Sequence, residues 1–148
     1  MEIEKVGVVG CGVMGRGITQ VCAQSGYTVI VSEINQELLS KGLSSIKSAL
    51  TRRVDKGQLS QQDSKAILGR IKGTTEAQEF SHCDLVIEAA SENLELKKQI
   101  FAQVDEICLG HAILATNTSC LSVTDMAMAT KRPEKVVGMH FMNPAPVM

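Results

Sequence analysis

The chain is 148 residues long, the size of one domain with a substantial core and short for two. Its 15 basic and 16 acidic side chains nearly cancel, and it holds one tyrosine, three phenylalanines and no tryptophan, which excludes the charged, aromatic-laced surface of a nucleic-acid binder or a basic membrane-binding face. The cysteines Cys11, Cys22, Cys83, Cys108 and Cys120 form no CxxC pair, no charged apolar leader opens the chain, and no apolar run reaches the roughly eighteen residues of a membrane span, so a reduced, cytoplasmic protein is expected.

Ile3 to Val9 reads as a strand, its β-branched Val6, Val8 and Val9 following Glu4-Lys5 as in a strand buried on both faces. Glycines follow, then a helical pattern from Val13 towards Gly26, then a second apolar run from Val29 to Ser32. Two strands joined through a helix imply parallel pairing. Asn35 is placed to cap a long helix with Leu38, Leu39, Leu43, Ile46 and Leu50 at helical spacing, running into Arg52 and Arg53 and stopping at Gly57. Ser60, with Asp63 three residues on, starts a smaller helix whose apolar face is Ile67, Leu68 and Ile71, completing a helical hairpin. Leu85 to Ala90 reads as a buried strand, Leu94 to Cys108 as a helix, and Ala112 to Ala115 as another strand. Ser122 opens a short helix, and Val136 to Phe141 is the last strand. Strands alternating with helices predict the α/β class, a doubly wound parallel sheet with a helical hairpin inserted after the second strand.

The stretch "VGVVGCGVMGRG" spaces Gly10, Gly12 and Gly15 as GxGxxG. The first glycine permits the tight turn, the second lets backbone N–H groups approach a pyrophosphate, and the third lets the helix pack close to the strand. Val13 and Met14, between the glycines, bring the first-turn amides of the helix to the same anion. The motif follows a buried strand, opens a helix, and is followed at the end of the second strand by Glu33, so it marks a Rossmann-type dinucleotide site. A carboxylate there accepts from the ribose hydroxyls and repels a 2'-phosphate, and Ile34-Asn35 offer no cation, which favours NAD over NADP. Cys11 sits in the same loop, where the helix dipole lowers a thiol pKa unless the cysteine is only a small residue that the turn tolerates.

Three further strand ends carry polar clusters: "EAASENLELK", "ATNTSCLSV" and "GMHFMNPAPVM". In an open α/β sheet the ligand crevice lies beyond the carboxyl ends of the strands, so these converge on one site. With the glycine loop, the helical hairpin, the "NTS" triplet and "HFMNP" in this order from Val6 to Met148, the sequence resembles the NAD-binding domain of the 3-hydroxyacyl-CoA dehydrogenase family. The resemblance implies interconversion of (S)-3-hydroxyacyl-CoA and 3-ketoacyl-CoA, with His140 as catalytic base and Ser119 contacting both the substrate's 3-oxygen and the cofactor. It further implies NAD contacts at Glu92, Lys97 and Asn143, and a CoA contact at Lys56. No metal is implied.

The chemistry suits these residue types independently. Oxidising a secondary alcohol requires removal of the hydroxyl proton as hydride departs, and histidine, titrating near neutrality, takes that proton and returns it in reduction. A serine hydroxyl holds the reacting oxygen in register. His82 and His111, without companion ligands, are expected at the solvent, and Glu88 and Asp84, flanking a buried strand, fit a structural role as well as a functional one.

The family's glutamate that supports the base histidine, and the helical domain that covers the acyl chain, would fall beyond Met148. The chain is therefore expected to be the cofactor half of an acyl-CoA enzyme, binding NAD but turning over poorly without a homo-oligomer or a second polypeptide that completes the site. The competing expectation is a stand-alone NAD-binding regulatory module.

Overall fold

In a computed structural model that describes residues 2–148, six parallel strands form one sheet in the order β3-β2-β1-β4-β5-β6. The elements run β1 (Lys5–Val9), α1 (Val13–Gln24), β2 (Thr28–Ser32), α2 (Gln36–Asp55), α3 (Gln61–Gly69), β3 (Ile71–Thr74), β4 (Leu85–Glu88), α4 (Leu94–Ile107), β5 (Ile113–Thr116), α5 (Val123–Ala127) and β6 (Val136–Gly138). Two 3-10 segments, Ala77–His82 and Pro133–Lys135, lead into β4 and β6. This strand order reverses direction between β1 and β4, where a doubly wound sheet opens its ligand crevice.

Alternation along each strand divides the core. Val6, Val8, Val29 and Val31 belong to one apolar cluster with Ile18, Leu39, Ile46 and Leu50 of α1 and α2. Ile30, Val86 and Leu114 belong to another with Phe80, Phe101, Val104 and Met126. Successive side chains of a strand point to opposite faces, so a β-branched run such as β2 serves both clusters. The sequence-predicted helix caps are real: Asn35 accepts from Leu38 N–H at 2.9 Å, Ser60 from Asp63 N–H at 3.0 Å and Ser122 from Asp125 N–H at 3.1 Å.

Beside boundary shifts of one or two residues, such as β1 starting at Lys5 and β4 ending at Glu88, three elements differ from the sequence reading. Ile71 is not the last residue of the hairpin helix; α3 ends at Gly69, and Ile71–Thr74 is an edge strand paired with β2. Ile71 stands four residues after Ile67, which is helical spacing, but Gly69 and Gly73 make helix continuation costly. The 3-10 segment Ala77–His82 was hidden because its one buried side chain, Phe80, gives no period. The last strand stops at Gly138, short of Phe141.

The strands end together. Beyond the elements themselves, backbone bonds continue from Gly10 N–H to Ser32 O at 2.9 Å, Ala89 N–H to Val9 O at 2.8 Å, Asn117 N–H to Glu88 O at 2.9 Å and Met139 N–H to Thr116 O at 2.8 Å. These bonds align the starts of the loops after β1, β4, β5 and β6 along one edge. The crossover from α5 to β6 is anchored by Arg132, which bonds Asp105 near the end of α4 and the carbonyls of Asp105, Cys108 and Leu109.

Candidate active site

The glycine loop is shaped by contacts that only hydrogen side chains allow. Gly10 has φ +98°, and a Cβ there would stand 2.8 Å from the Ala89 carbonyl oxygen; a Cβ at Gly15 would overlap the Gly10 carbonyl oxygen. Gly12 is different. Its φ is −74° and a Cβ would meet nothing within 4 Å, so the space above it is open for a ligand rather than filled by the fold. Gly12 is also the N-cap of α1, which has no side-chain cap and no acidic residue in its first turn. Among the described residues, α2, α3, α4 and α5 each have both. The helix that opens at Val13 and Met14 thus keeps its dipole and its first-turn donors available to an anion.

Glu33 lies beside this loop. Its Oε2 accepts the Cys11 N–H at 3.0 Å and its Oε1 the Ile34 N–H at 2.9 Å. A cleft of about 660 Å³ runs past Gly10, Glu33 and Ile34 and on between Thr75, Ala90 and Leu96. Burial, followed by the Glu33 charge, pushes the Cys11 thiol up to about 11 despite nearby Arg16. The helix dipole does not make a thiolate here, and Cys11 fits the turn as a small buried residue.

Farther along the edge, a polar ring joins the loops after β4 and β5 to α4. Lys97 on α4 and Glu88 at the end of β4 are 1% and 2% exposed and pair at 2.6 Å. Lys97 Nζ also donates to the Ala90 carbonyl at 3.2 Å and lies 4.0 Å from Glu92 Oε1. Glu88 also accepts from Ala90 N–H at 2.6 Å and from Thr116 Oγ1 at 2.7 Å. Thr118 Oγ1 donates to Glu92 Oε2 at 2.8 Å, while its N–H bonds Thr116 Oγ1 at 3.2 Å. Lys97 is therefore buried and engaged on its protein side, unlike Glu92, whose side chain is 48% exposed.

Ser119 and His140 lie in the stretches that follow β5 and β6 on the same sheet edge. Ser119 follows Thr118 in the loop after β5, and His140 follows Met139 beyond β6; both are exposed. Among the described residues neither side chain has a hydrogen-bond partner, whereas their neighbours are fixed: Thr118 by Glu92, and Phe141 by its N–H to Asn117 Oδ1 at 2.8 Å. Asn143 borders a second cleft, of about 620 Å³, between α1, α2 and the last residues, which Arg16, Lys41 and Arg52 line with cations. Lys56, the exposed C-cap of α2, lies one turn beyond Arg52 and outside the lining of that cleft.

The sequence reading missed Asn117, Thr116 and Thr118 as the supports of this end, and Arg16, Lys41 and Arg52 as a cationic lining. The first three had a signal, since polar residues directly after a buried strand need partners. The cations had none, because Lys41 and Arg52 stand on α2, which is polar on most of its surface, and Arg16 stands on α1, brought to them only by the packing of the two helices. Of the histidines set aside, His82 is exposed, while His111 pairs with Asp84 at 2.9 Å. Among the described residues no cluster of three or more His, Cys, Asp or Glu is placed to hold a metal ion, and no helix is long and apolar enough to cross a membrane.

Residues 5–148 match the family model described as 3-hydroxyacyl-CoA dehydrogenase, NAD binding domain. The chain is 43% identical over 148 residues to a probable 3-hydroxybutyryl-CoA dehydrogenase of Bacillus subtilis, and 46% identical over 144 residues to one of Deinococcus radiodurans. These alignments cover 100% and 97% of the chain but 52% and 51% of the relatives. The crystal structure of (S)-3-hydroxybutyryl-CoA dehydrogenase PaaH1 from Ralstonia eutropha superposes with a TM-score of 0.96 at 43% identity, over 99% of this chain and 52% of that one. The chain spans about half the length of these relatives. It belongs to the 3-hydroxyacyl-CoA dehydrogenase family, as an NAD-binding domain of that family.

Proposed function

We propose that this chain is the cofactor half of an enzyme interconverting (S)-3-hydroxyacyl-CoA and 3-ketoacyl-CoA, with His140 as general base. The observation that carries this reading is the start of α1 at Gly12, among the described residues the one α-helix start without a side-chain cap or an acidic first turn, on the same sheet edge as Ser119 and His140, whose side chains have no hydrogen-bond partner among the described residues.

The residues fit NAD. Open space at Gly12 and the first-turn amides of Val13, Met14 and Gly15 suit the pyrophosphate; Glu33, with Ile34 beside it and no cation, suits the adenosine ribose of NAD. Glu92 and Asn143 suit the nicotinamide end, with Lys97 supporting Glu92 from beneath. When bound, NAD supplies the carbon that accepts or returns the hydride.

The chain's own residues manage the proton. An imidazole nitrogen of His140 takes the proton of the 3-hydroxyl as the C3–H bond breaks, and the imidazolium returns it to the oxygen in reduction. The Ser119 hydroxyl holds that oxygen and donates to it as it becomes negative. Arg16, Lys41 and Arg52, with Lys56 a turn farther on, suit the phosphates of an acyl-CoA.

His140 has no carboxylate partner among the described residues, and its imidazolium consequently lacks the support that such a group gives. Turnover by this chain alone is slow, and a helical domain, on the same or a second polypeptide, completes the site. The free cysteines suit a reducing cytoplasm.

Acetoacetyl-CoA reduction, followed as loss of NADH absorbance, tests the chemistry on wild type and His140→Ala. Slow turnover abolished by the substitution supports the base assignment; turnover that survives it contradicts the assignment. NADH binding without hydride transfer, even with the C-terminal half of a relative supplied, would favour a regulatory cofactor module.

A further inference from the structure

The β5–β6 ladder outlasts the backbone of β5. Past Thr116 the bonding of β5 to β4 runs one step farther, with the Asn117 N–H on the Glu88 carbonyl at 2.9 Å, and the next amide, Thr118 N–H, leaves the ladder for Thr116 Oγ1 at 3.2 Å. The β6 side continues nevertheless. Met139 N–H reaches the Thr116 carbonyl at 2.8 Å, and two residues on, Phe141 N–H is accepted by the side-chain oxygen of Asn117 at 2.8 Å. The carboxamide stands in for the ladder carbonyl that β5 no longer supplies, so the amides on both sides of His140 are held. Alternation then sets its direction: Met139 and Phe141 pack against the apolar cluster under α1 and α2, and His140 between them is exposed.

We infer that Asn117 is a positioning residue for His140, its Oδ1 fixing the backbone on which the imidazole is mounted. The consequence for turnover rests on the proposed role of His140 as base; the positioning itself does not. The residue type follows from the geometry. Aspartate keeps an acceptor oxygen at the same reach, leucine keeps the volume without an acceptor, and alanine keeps neither.

Amide hydrogen exchange and the His140 ring cross-peak, recorded by NMR on the isotopically labelled chain, test this. In wild type the Phe141 amide is expected to be protected. In Asn117→Leu and Asn117→Ala its exchange should rise by about tenfold or more while the Val8 and Ile87 amides of the central strands stay protected, and the His140 ring signal should shift or broaden. Asn117→Asp should restore both. An unprotected Phe141 amide in wild type, which needs no variant, would overturn the inference; so would an unmoved His140 signal in the leucine and alanine variants, or no restoration by aspartate. His140→Ala in acetoacetyl-CoA reduction is the separate arm. A His140 signal that responds to Asn117, with a rate indifferent to His140→Ala, removes the base and leaves the positioning intact; the converse pair of results removes the positioning alone.

Discussion

Glu33, at the end of β2, holds the Cys11 N–H of the glycine loop at 3.0 Å, so one carboxylate both faces the cleft and braces the turn that forms it. Its two tasks separate on substitution. Glu33→Ser combined with Ile34→Arg should move preference from NADH towards NADPH, yet lower total affinity, because serine is too short to reach Cys11. Glu33→Gln keeps an acceptor for the loop and should lose less affinity while gaining less NADPH binding. Calorimetric titration of both variants with both nucleotides checks this; undiminished NADH preference in the double variant would remove Glu33 from the ribose.

The three loop glycines should fail in different ways. Gly12→Val places its side chain in open space at a φ any residue adopts, so its melting temperature should stay near wild type while NADH binding is lost. Gly10→Ala forces a left-handed φ, costing about 1 to 2 kcal/mol from the backbone alone, and presses on the Ala89 carbonyl. Gly15→Ala meets the Gly10 carbonyl. Both alanine variants should melt lower than wild type, and thermal unfolding without ligand distinguishes them from Gly12→Val.

The Lys97–Glu88 pair is buried on both sides. Removing one partner strands a charge, and Glu88→Ala should cost about 3 to 5 kcal/mol, whereas replacing both with apolar residues of similar volume, Glu88→Leu with Lys97→Met, should cost far less. Denaturant unfolding of the two single variants and the double gives the coupling directly. Additive losses would mean that the pair does not act as a unit.

Asp84 ties the start of β1 to β5 by accepting Glu4 N–H at 3.0 Å and Lys5 N–H at 2.9 Å and by bonding His111 at 2.9 Å. Those backbone donors first, and His111 after them, lower its carboxyl from 3.8 to about 2. A folded pKa below the unfolded one means that the unfolded chain binds more protons between the two values, so this contribution is full above about pH 4 and fades as pH falls towards 2. The melting-temperature gap between wild type and Asp84→Asn should shrink across that window, and His111→Ala should remove only part of the effect. A gap independent of pH would contradict the depressed carboxyl.

What the sequence revealed depended on whether a residue's task was local. The glycine turn, the place of Glu33 just past β2 and the caps at Asn35, Ser60 and Ser122 act on backbone a few residues away or follow a strand by fixed spacing, and as structure they were legible. Asn117 works on Phe141, twenty-four positions away, and Lys97 meets Glu88 only because α4 folds back over β4. Such pairings are set by the sheet, and no periodicity announces them. The edge strand Ile71–Thr74 was lost for a related reason: four residues with a glycine and an exposed lysine make a weak strand signal, and the pairing with β2 supplies what propensity does not.

The measurement closest to the centre of this reading is calorimetric titration of the chain with NADH and NADPH, with Gly12→Val beside it. Saturable NADH binding, weaker NADPH binding, and loss of both in a folded Gly12→Val protein are the expected results. No binding of NADH by the folded wild-type chain, or binding that Gly12→Val leaves intact, would contradict the assignment of the α1 start as the dinucleotide site.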